Sequence, residues 1–229
     1  MLNVVVAGAS VLTALGALIV AAHHVHTVWG LPAEWSRKGV HVGMGLVCAT
    51  FPWVFPNPAP VFVLAVIATA AMIAIRLVPS LRVRHGCALN DVKRHSYGEF
   101  AFIAGVACSF ALAHGNAVEY LIPVSVLTFA DSLAAVIGQQ FGKLPFAIPG
   151  GTKTIEGSTA FFAVAFVCAA LSLLAVHAPY ALSTALLAAS ALTLVEAFSW
   201  NGFDNLAVPI VGVLLLRLLA GGSGLELAS

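Results

Sequence analysis

Charge is what this sequence has least of. Only 8% of its 229 residues are Asp, Glu, Lys or Arg, whereas 61% are hydrophobic. Soluble domains carry about 25% charged residues, so this composition cannot cover a water-facing surface. The net charge of +1 provides neither a basic patch nor a polybasic tail, and we therefore expect no nucleic-acid partner. The composition predicts an integral membrane protein embedded in a lipid bilayer.

Closely spaced cysteines and a cleavable leader are also missing. The four cysteines are scattered and form no C-x-x-C pair, so we expect them to be core residues rather than a disulfide framework or a metal site. The first apolar run, 2–22, has no basic residues before it and no small-residue cleavage site ahead of a polar chain. We therefore expect a transmembrane span there and not a signal peptide.

Long apolar runs dominate what is present. A transmembrane helix needs about 20 apolar residues, and short polar breaks delimit eight runs of about that size. We predict an all-α membrane bundle of about 7–8 transmembrane helices, forming a single domain over 1–229 with a flexible Gly-rich tail at 220–229. The runs cover 2–22, 39–56, 59–78, 99–114, 118–138, 158–177, 180–199 and 205–220.

Basic residues are distributed unevenly between the two ends of these runs. The breaks after even-numbered runs contain no Lys or Arg. The positive-inside rule therefore places the other breaks in the cytoplasm and the N-terminus outside. Arg217, near the far end of the last run, is the exception. The basic residues after the first, third and fifth runs are Arg37, Lys38, Arg82, Arg84, Lys93, Arg94, Lys143 and Lys153.

Asp131 lies inside the fifth run. An unpaired carboxylate within the membrane costs several kcal/mol, so we expect Asp131 to be paired, to bind a cation or to face a water-filled cavity. A protonated acid in an interhelical hydrogen bond is the structural alternative. Gly138 and Gly142 follow in a G-x-x-x-G spacing, which allows another helix to approach closely.

A glycine-rich segment, 149–158, follows that run. Its backbone amides and the N-terminus of the next helix could hold an anion, and Lys153 would add a positive charge. The residue order differs from that of a Walker A loop, and an ordinary turn with Ser158 as helix N-cap is the alternative. The candidate nucleotide-binding residues of this segment are Gly150, Gly151, Thr152, Lys153 and Thr154.

Two further acids fall on the same predicted face. Glu196 lies near the end of the seventh run, and Asp204 opens the eighth. A lone Asp at that position would be interpreted as a helix N-cap. Together with Asp131, however, the two acids suggest a Mg²⁺ site, because Mg²⁺ takes oxygen ligands and usually shares them with substrate phosphates.

Two polar segments lead into the second and fourth runs. Arg37 and His41 are four residues apart, so they share one face of a helix. Arg94 precedes the sequence S-Y-G-E, which ends at Glu99. Basic residues at an interface often mark only topology or lipid contact, but Arg37, Lys38 and Arg94 adjoin the polar motifs and are candidate nucleotide-binding residues.

The order of these motifs resembles that of a known family. The sequence contains R-K-x-x-H, S-Y-G-E, D-S-L-A-A-x-x-G-x-x-x-G, K-T-x-E-G-S and D-N-L-x-x-P in succession, between Glu34 and Pro209. This order resembles the polytopic lipid-alcohol kinases, which include phytol kinase, dolichol kinase and the CTP-dependent diacylglycerol kinase of yeast. The D-to-G-x-x-x-G and K-T-x-E-G-S pair is the most specific part of the resemblance, and S-Y-G-E is most similar to the phytol kinase branch.

The resemblance implies a reaction and roles for particular residues. It implies transfer of the terminal phosphoryl group of a nucleotide, with CTP as the donor, to an isoprenoid alcohol such as phytol, geranylgeraniol or a polyprenol. Asp131 with Glu196 or Asp204 would hold Mg²⁺. The phosphates would be held by Lys153 and the Gly150–Gly151 backbone, assisted by Arg37, Lys38 or Arg94. Glu156 would orient Lys153 or act on the alcohol, and His41 is a candidate base.

Two other hypotheses remain open from the sequence. The related phosphatidate cytidylyltransferases form CDP-lipids, but they end in a P-G-H-G-G-x-x-D-R-x-D signature, where this chain reads N-G-F-D-N-L-A-V-P. That difference argues against cytidylyl transfer. A small-solute transporter is the other hypothesis; transporters tend to have internal repeats and sites near the bilayer midplane, whereas this sequence shows no repeat. The sequence predicts no particular oligomeric state.

Overall fold

The computed structural model describes residues 2–30, 33–78, 97–149 and 151–223. Helices make up most of this described part, and its one sheet is an antiparallel hairpin of β1 (Pro145–Ile148) and β2 (Gly151–Thr154). The predicted all-α class is confirmed. The helices are α1 Leu2–Trp29, α2 Ala33–Ala49, α3 Phe51–Val54, α4 Pro58–Leu77, α5 Gly98–Leu112, α6 Ala117–Ser125, α7 Asp131–Phe141, α8 Ile155–Ala175, α9 Ala181–Phe198 and α10 Asp204–Ser223.

Within the described residues, five helical segments are long and apolar enough to cross a membrane. They are Asn3–Trp29, Pro58–Leu77, Ala117–Phe141, Ile155–Ala175 and Ala181–Phe198. The shorter apolar helix α5 matches the fourth predicted run, and α2 and α10 match the second and eighth. The chain is an integral membrane protein. Helix α10 ends at Ser223 and residues 224–229 lie outside the described part, so the single domain and the flexible tail stay predictions.

A single bent helix, Ala117–Phe141, forms the centre of the bundle. It consists of α6, a π-helical turn over Val126–Ala130, and α7. Pro123 lies inside α6 and has no N–H to donate, while Thr128 Oγ1 donates to the Val124 carbonyl at 2.6 Å. This helix packs against α2, α8 and α10. Asp131 is the first residue after the π turn, a type of irregularity often found at functional sites.

Glycines bring two neighbouring helices close to this central helix. A Cβ on Gly45 of α2 would overlap the Thr128 side chain, and one on Gly142 would overlap Thr154 at the start of α8. A Cβ on Gly138 would lie 3.0 Å from Thr154 Oγ1. The close approach predicted for the G-x-x-x-G spacing is confirmed, and its partner is the N-terminus of α8.

The end of the bundle remote from Asp131 is closed by aromatic packing and one ion pair. Phe51, Phe110 and Tyr120 pack edge to face, and the Tyr120 hydroxyl donates to the Cys48 carbonyl at 2.9 Å. Arg217, the exception to the charge asymmetry, donates from Nε to Glu119 Oε2 at 2.7 Å. This pair ties α10 to α6.

Candidate active site

Asp131 forms a buried ion pair with Lys38. The Lys38 ammonium lies 2.7 Å from Asp131 Oδ2 and 3.4 Å from the Asp131 carbonyl oxygen. Helix α2 begins at Ala33, six residues before the predicted run, so Lys38 belongs to the helix and its side chain reaches the central helix. Both side chains are buried. The expectation that Asp131 is not an isolated charge is confirmed, and the protonated alternative is not needed to explain its burial.

His41 contacts the same oxygen of Asp131. Its Nε2 lies 3.6 Å from Asp131 Oδ2 and 3.1 Å from the Leu127 carbonyl, and the Phe102 ring packs edge-on at 5.0 Å. Since both neighbours of Nε2 are acceptors, we assign the hydrogen to Nε2 and the lone pair of the neutral ring to Nδ1. His41 therefore donates to the Leu127 carbonyl, and its predicted role as a base would have to use Nδ1.

Lys153 joins two other acids into a second cluster. Its Nζ lies 2.5 Å from Glu196 Oε1 and 3.6 Å from Asp204 Oδ2, and it also donates to the Glu196 carbonyl. Asp204 Oδ1 accepts from the Asn205 amide at 3.0 Å. The other carboxylate oxygen, Glu196 Oε2, is buried and has no hydrogen-bond partner among the described residues. One lysine thus faces two carboxylates, one of them only half satisfied.

The two clusters lie within electrostatic range of each other. Asp204 interacts with both Asp131 and Lys38, and Glu196 also interacts with Asp131. Arg37 contributes positive charge at Asp131. The two clusters therefore form one polar region at one end of the bundle. Its residues come from the second, fifth, sixth, seventh and eighth predicted spans or from the connections before them.

The predicted magnesium ligands are divided between these clusters. No group of three His, Cys, Asp or Glu side chains in the described part is spaced to hold a metal ion. Asp131 is engaged by Lys38, but Glu196 and Asp204 share Lys153, and the orphaned Glu196 Oε2 is a suitable ligand atom. The carboxylates of Glu196 and Asp204 are oxygen ligands of the kind that Mg²⁺ takes when phosphate and water supply the rest. The magnesium site stays a prediction.

The glycine-rich segment is a hairpin that delivers Lys153. In the β1–β2 ladder, Lys153 pairs with Phe146. The Ile155 amide donates to the Leu144 carbonyl at 3.0 Å, and the Leu144 amide donates to Glu156 Oε2 at 3.3 Å. Glu156 therefore closes the base of the hairpin and orients Lys153 only indirectly.

The start of α8 differs from the prediction. Thr154, not Ser158, caps the helix by accepting from the Gly157 amide at 3.1 Å, so α8 begins at Ile155. The alternative in which Ser158 caps the helix is wrong, because a threonine at the end of β2 accepts from the free amide of the first turn instead. Gly151 and Thr152 belong to β2 with Lys153, and Thr152 is exposed. Gly150 and Arg94 lie outside the described residues, so their predicted roles stay predictions.

Comparison with known proteins finds a relative that covers most of the chain. The phytol kinase of Synechocystis sp. is 29% identical over 210 residues, which are 89% of this chain and 87% of that protein. The match supports membership in the phytol kinase and lipid-alcohol kinase family. The resemblance seen in the motifs is confirmed. No family model matches the chain, and no solved structure matches it.

The structure gives two motifs of this kinase-like sequence a supporting role that the sequence analysis missed. Asn205 Nδ2, from D-N-L-x-x-P, donates to the Gly98 carbonyl of S-Y-G-E at 2.9 Å. Glu99 of the same motif accepts from Arg76 at 2.9 Å. These contacts fix α5 against α10 and α4, and so hold the start of α10, where Asp204 lies. In the sequence, the only sign of this contact between α5 and α10 was that Asn205 follows Asp204 directly.

Proposed function

We propose that the chain is a membrane kinase that transfers the terminal phosphoryl group of a nucleoside triphosphate to a long-chain isoprenoid alcohol. CTP is the proposed donor, and phytol, geranylgeraniol or a polyprenol the acceptor. The similarity to phytol kinase supports the reaction class. The basic residues support an N-terminus outside and a site facing the cytoplasm, where nucleotides are found.

The observation that carries the proposal is the pair of adjoining lysine–carboxylate clusters. Lys38 and Asp131 form one, and Lys153, Glu196 and Asp204 form the other. Phosphoryl transfer requires alignment of the reactants and neutralisation of charge rather than covalent help from the protein. Two lysines, with the cation-binding acids of the Lys153 cluster, supply both requirements at one end of an apolar bundle.

We assign the Lys153 cluster to the nucleotide. Lys153 is a compact positive charge suited to phosphate oxygens. When the triphosphate takes over Lys153, the carboxylates of Glu196 and Asp204 become available to a cation. Mg²⁺ bound there would neutralise charge on the β- and γ-phosphates. Thr154 and Glu156 keep the hairpin at the start of α8 and so hold Lys153 in reach.

We assign the Lys38 cluster to the acceptor alcohol. Lys38 donates to Asp131 Oδ2, and the substrate hydroxyl is assigned to the other carboxylate oxygen, Oδ1. The hydroxyl oxygen forms the new bond to the γ-phosphorus, its proton passes to Asp131, and the bridging P–O bond breaks with its electron pair leaving on the nucleoside diphosphate. The positive charge of Lys38 keeps Asp131 ionised and ready to accept that proton.

The product identifies the reaction. Purified protein in nanodiscs is incubated with Mg²⁺, geranylgeraniol and CTP labelled in either the α- or the γ-phosphate. A kinase places the γ-label on the lipid and releases CDP. Release of pyrophosphate with the α-label on the lipid would instead indicate a cytidylyltransferase, and absence of both labelled lipids would contradict the proposal.

A further inference from the structure

A small cleft lies between α2 and α7, beside the Lys38 cluster. Its volume is about 40 Å³. A water molecule needs roughly 10–15 Å³ measured in this way, so the cleft holds about three water-sized groups. A hydroxymethyl group fits such a space, whereas a nucleoside triphosphate does not. The lining residues are Trp35, Lys38, Ala135, Val136, Gln139 and Gln140.

The cleft adjoins Lys38, which is paired with the carboxylate that we assign as proton acceptor. Lys38 forms part of its wall and donates to Asp131 Oδ2 at 2.7 Å. Ala135 is four residues after Asp131, so the two lie on the same face of α7, one turn apart. A group bound in the cleft therefore lies against Lys38 and about one helical turn from Asp131.

The chemistry of the wall suits an alcohol at the end of an apolar chain. Gln139 and Gln140 contribute amide groups, Ala135 and Val136 are apolar, and among the described residues that line the cleft only Lys38 is charged. Trp35 is 45% exposed, and tryptophan is typical of the membrane interface. Further along α7, Leu133 and Phe141 are also exposed, and their apolar surface adjoins lipid in a membrane-embedded bundle.

We infer that the cleft between α2 and α7 admits the hydroxyl-bearing end of the isoprenoid alcohol, with Trp35, Val136 and Gln140 as acceptor-binding residues. This inference rests on the proposed kinase function. Because the cleft encloses only the hydroxymethyl end, the rest of the chain lies in the lipid. The protein therefore selects strongly for a primary alcohol and only weakly for chain length.

The first test fills the cleft. Val136→Trp is compared with Leu133→Trp, which adds the same side chain to an exposed position of α7 outside the lining. With geranylgeraniol varied at saturating CTP, Val136→Trp is expected to raise the alcohol KM by about tenfold or more, since overpacking excludes the substrate. Its nucleotide KM and both constants of Leu133→Trp should stay near wild type. An unchanged alcohol KM in Val136→Trp, in protein that elutes and melts as wild type does, overturns the inference while leaving the kinase proposal intact.

A second test does not depend on turnover. A photoreactive primary alcohol, with its label next to the hydroxyl, is crosslinked to wild-type protein without nucleotide, and the modified peptide is mapped. Labelling within α7 or around Trp35, competed by geranylgeraniol but not by its tertiary isomer geranyllinalool, is the expected result. Labelling elsewhere, or equal competition by the two isomers, overturns the inference. This result does not depend on turnover: a wild type that forms no phosphorylated lipid contradicts the kinase proposal, whereas the labelling pattern tests the cleft.

Discussion

The two ends of the bundle hold their charges in different ways. At one end, a single acid, Glu119, accepts from a single base, Arg217, at 2.7 Å. At the other end, Lys153 is shared by Glu196 and Asp204, and Glu196 Oε2 is buried without a partner in the described part. A closed one-to-one pair ties two helices together. A shared lysine with an unsatisfied acid leaves atoms available for a ligand, which is why we place the chemistry at that end.

The difference extends to the Lys38 cluster. Lys38 donates to one oxygen of Asp131, and His41 Nε2 lies 3.6 Å from the same oxygen. Burying such charged groups is costly unless each is paired. The Lys38 ammonium keeps Asp131 charged inside the bundle, and a charged carboxylate is what the proton-acceptor role that we propose requires.

The largest effect is expected from Asp131→Asn. Loss of the proton acceptor should lower kcat by about 10²–10⁴-fold, while the isosteric amide preserves the shape of the site. Kinase turnover measured against CTP and against Mg²⁺ checks this. Nearly unchanged half-saturation values for CTP and Mg²⁺ are expected; a large increase in the Mg²⁺ value would show instead that Asp131 is a metal ligand.

Lys153→Met should come next. Removing the positive charge that we assign to the phosphates is expected to lower kcat/KM for CTP by about 10²–10³-fold. Lys143→Met is the matched control, because Lys143 is exposed and lies before the hairpin. Equal losses in both variants would mean that general surface charge, and not the Lys153 cluster, attracts the nucleotide.

A smaller change should follow from Glu196→Gln. The amide keeps one oxygen but loses the charge, so the Mg²⁺ concentration for half-maximal activity is expected to rise by about 10–100-fold. Glu119→Gln, the corresponding change at the opposite end, should leave the Mg²⁺ requirement as it is. A Mg²⁺ titration with the same response in both variants would remove Glu196 from the metal site.

The smallest effect on the reaction is expected from Arg217→Met. It leaves the buried Glu119 carboxylate without its partner, which should lower the free energy of unfolding by about 1–3 kcal/mol. The kcat per folded molecule should not change. Thermal unfolding in detergent together with turnover of the folded fraction measures both quantities, and a loss of kcat at full folding would show that the two ends are coupled.

Much of the fold could be predicted from the sequence because the apolar runs are long. Every predicted run overlaps a helix, although the second run is divided between α2 and α3 and the fifth contains the π turn. The close approach at Gly138 and Gly142 was predictable from their spacing. The π turn before Asp131 and the hairpin around Lys153 were not. Both depend on which backbone amides form hydrogen bonds in the folded chain, and no periodic pattern in the sequence indicates them.

The sequence predicted which residues belong to the site but not which lysine pairs with which acid. Asp131 was expected to have a partner because an isolated charge is costly inside a membrane. That the partner is Lys38, 93 residues away, depends on α2 starting early and on Gly45 allowing it to approach Thr128. The division of the three acids between two lysines follows from the same packing, and the sequence contains no signal for it.

The most direct test is label transfer from γ-labelled CTP to geranylgeraniol, measured per folded molecule in wild type, Lys153→Met and Arg217→Met side by side. We predict that wild type and Arg217→Met form labelled lipid at the same rate and that Lys153→Met forms almost none. Absence of labelled lipid from the wild type, or undiminished labelling by Lys153→Met, would contradict a phosphotransfer site at the charged end of the bundle.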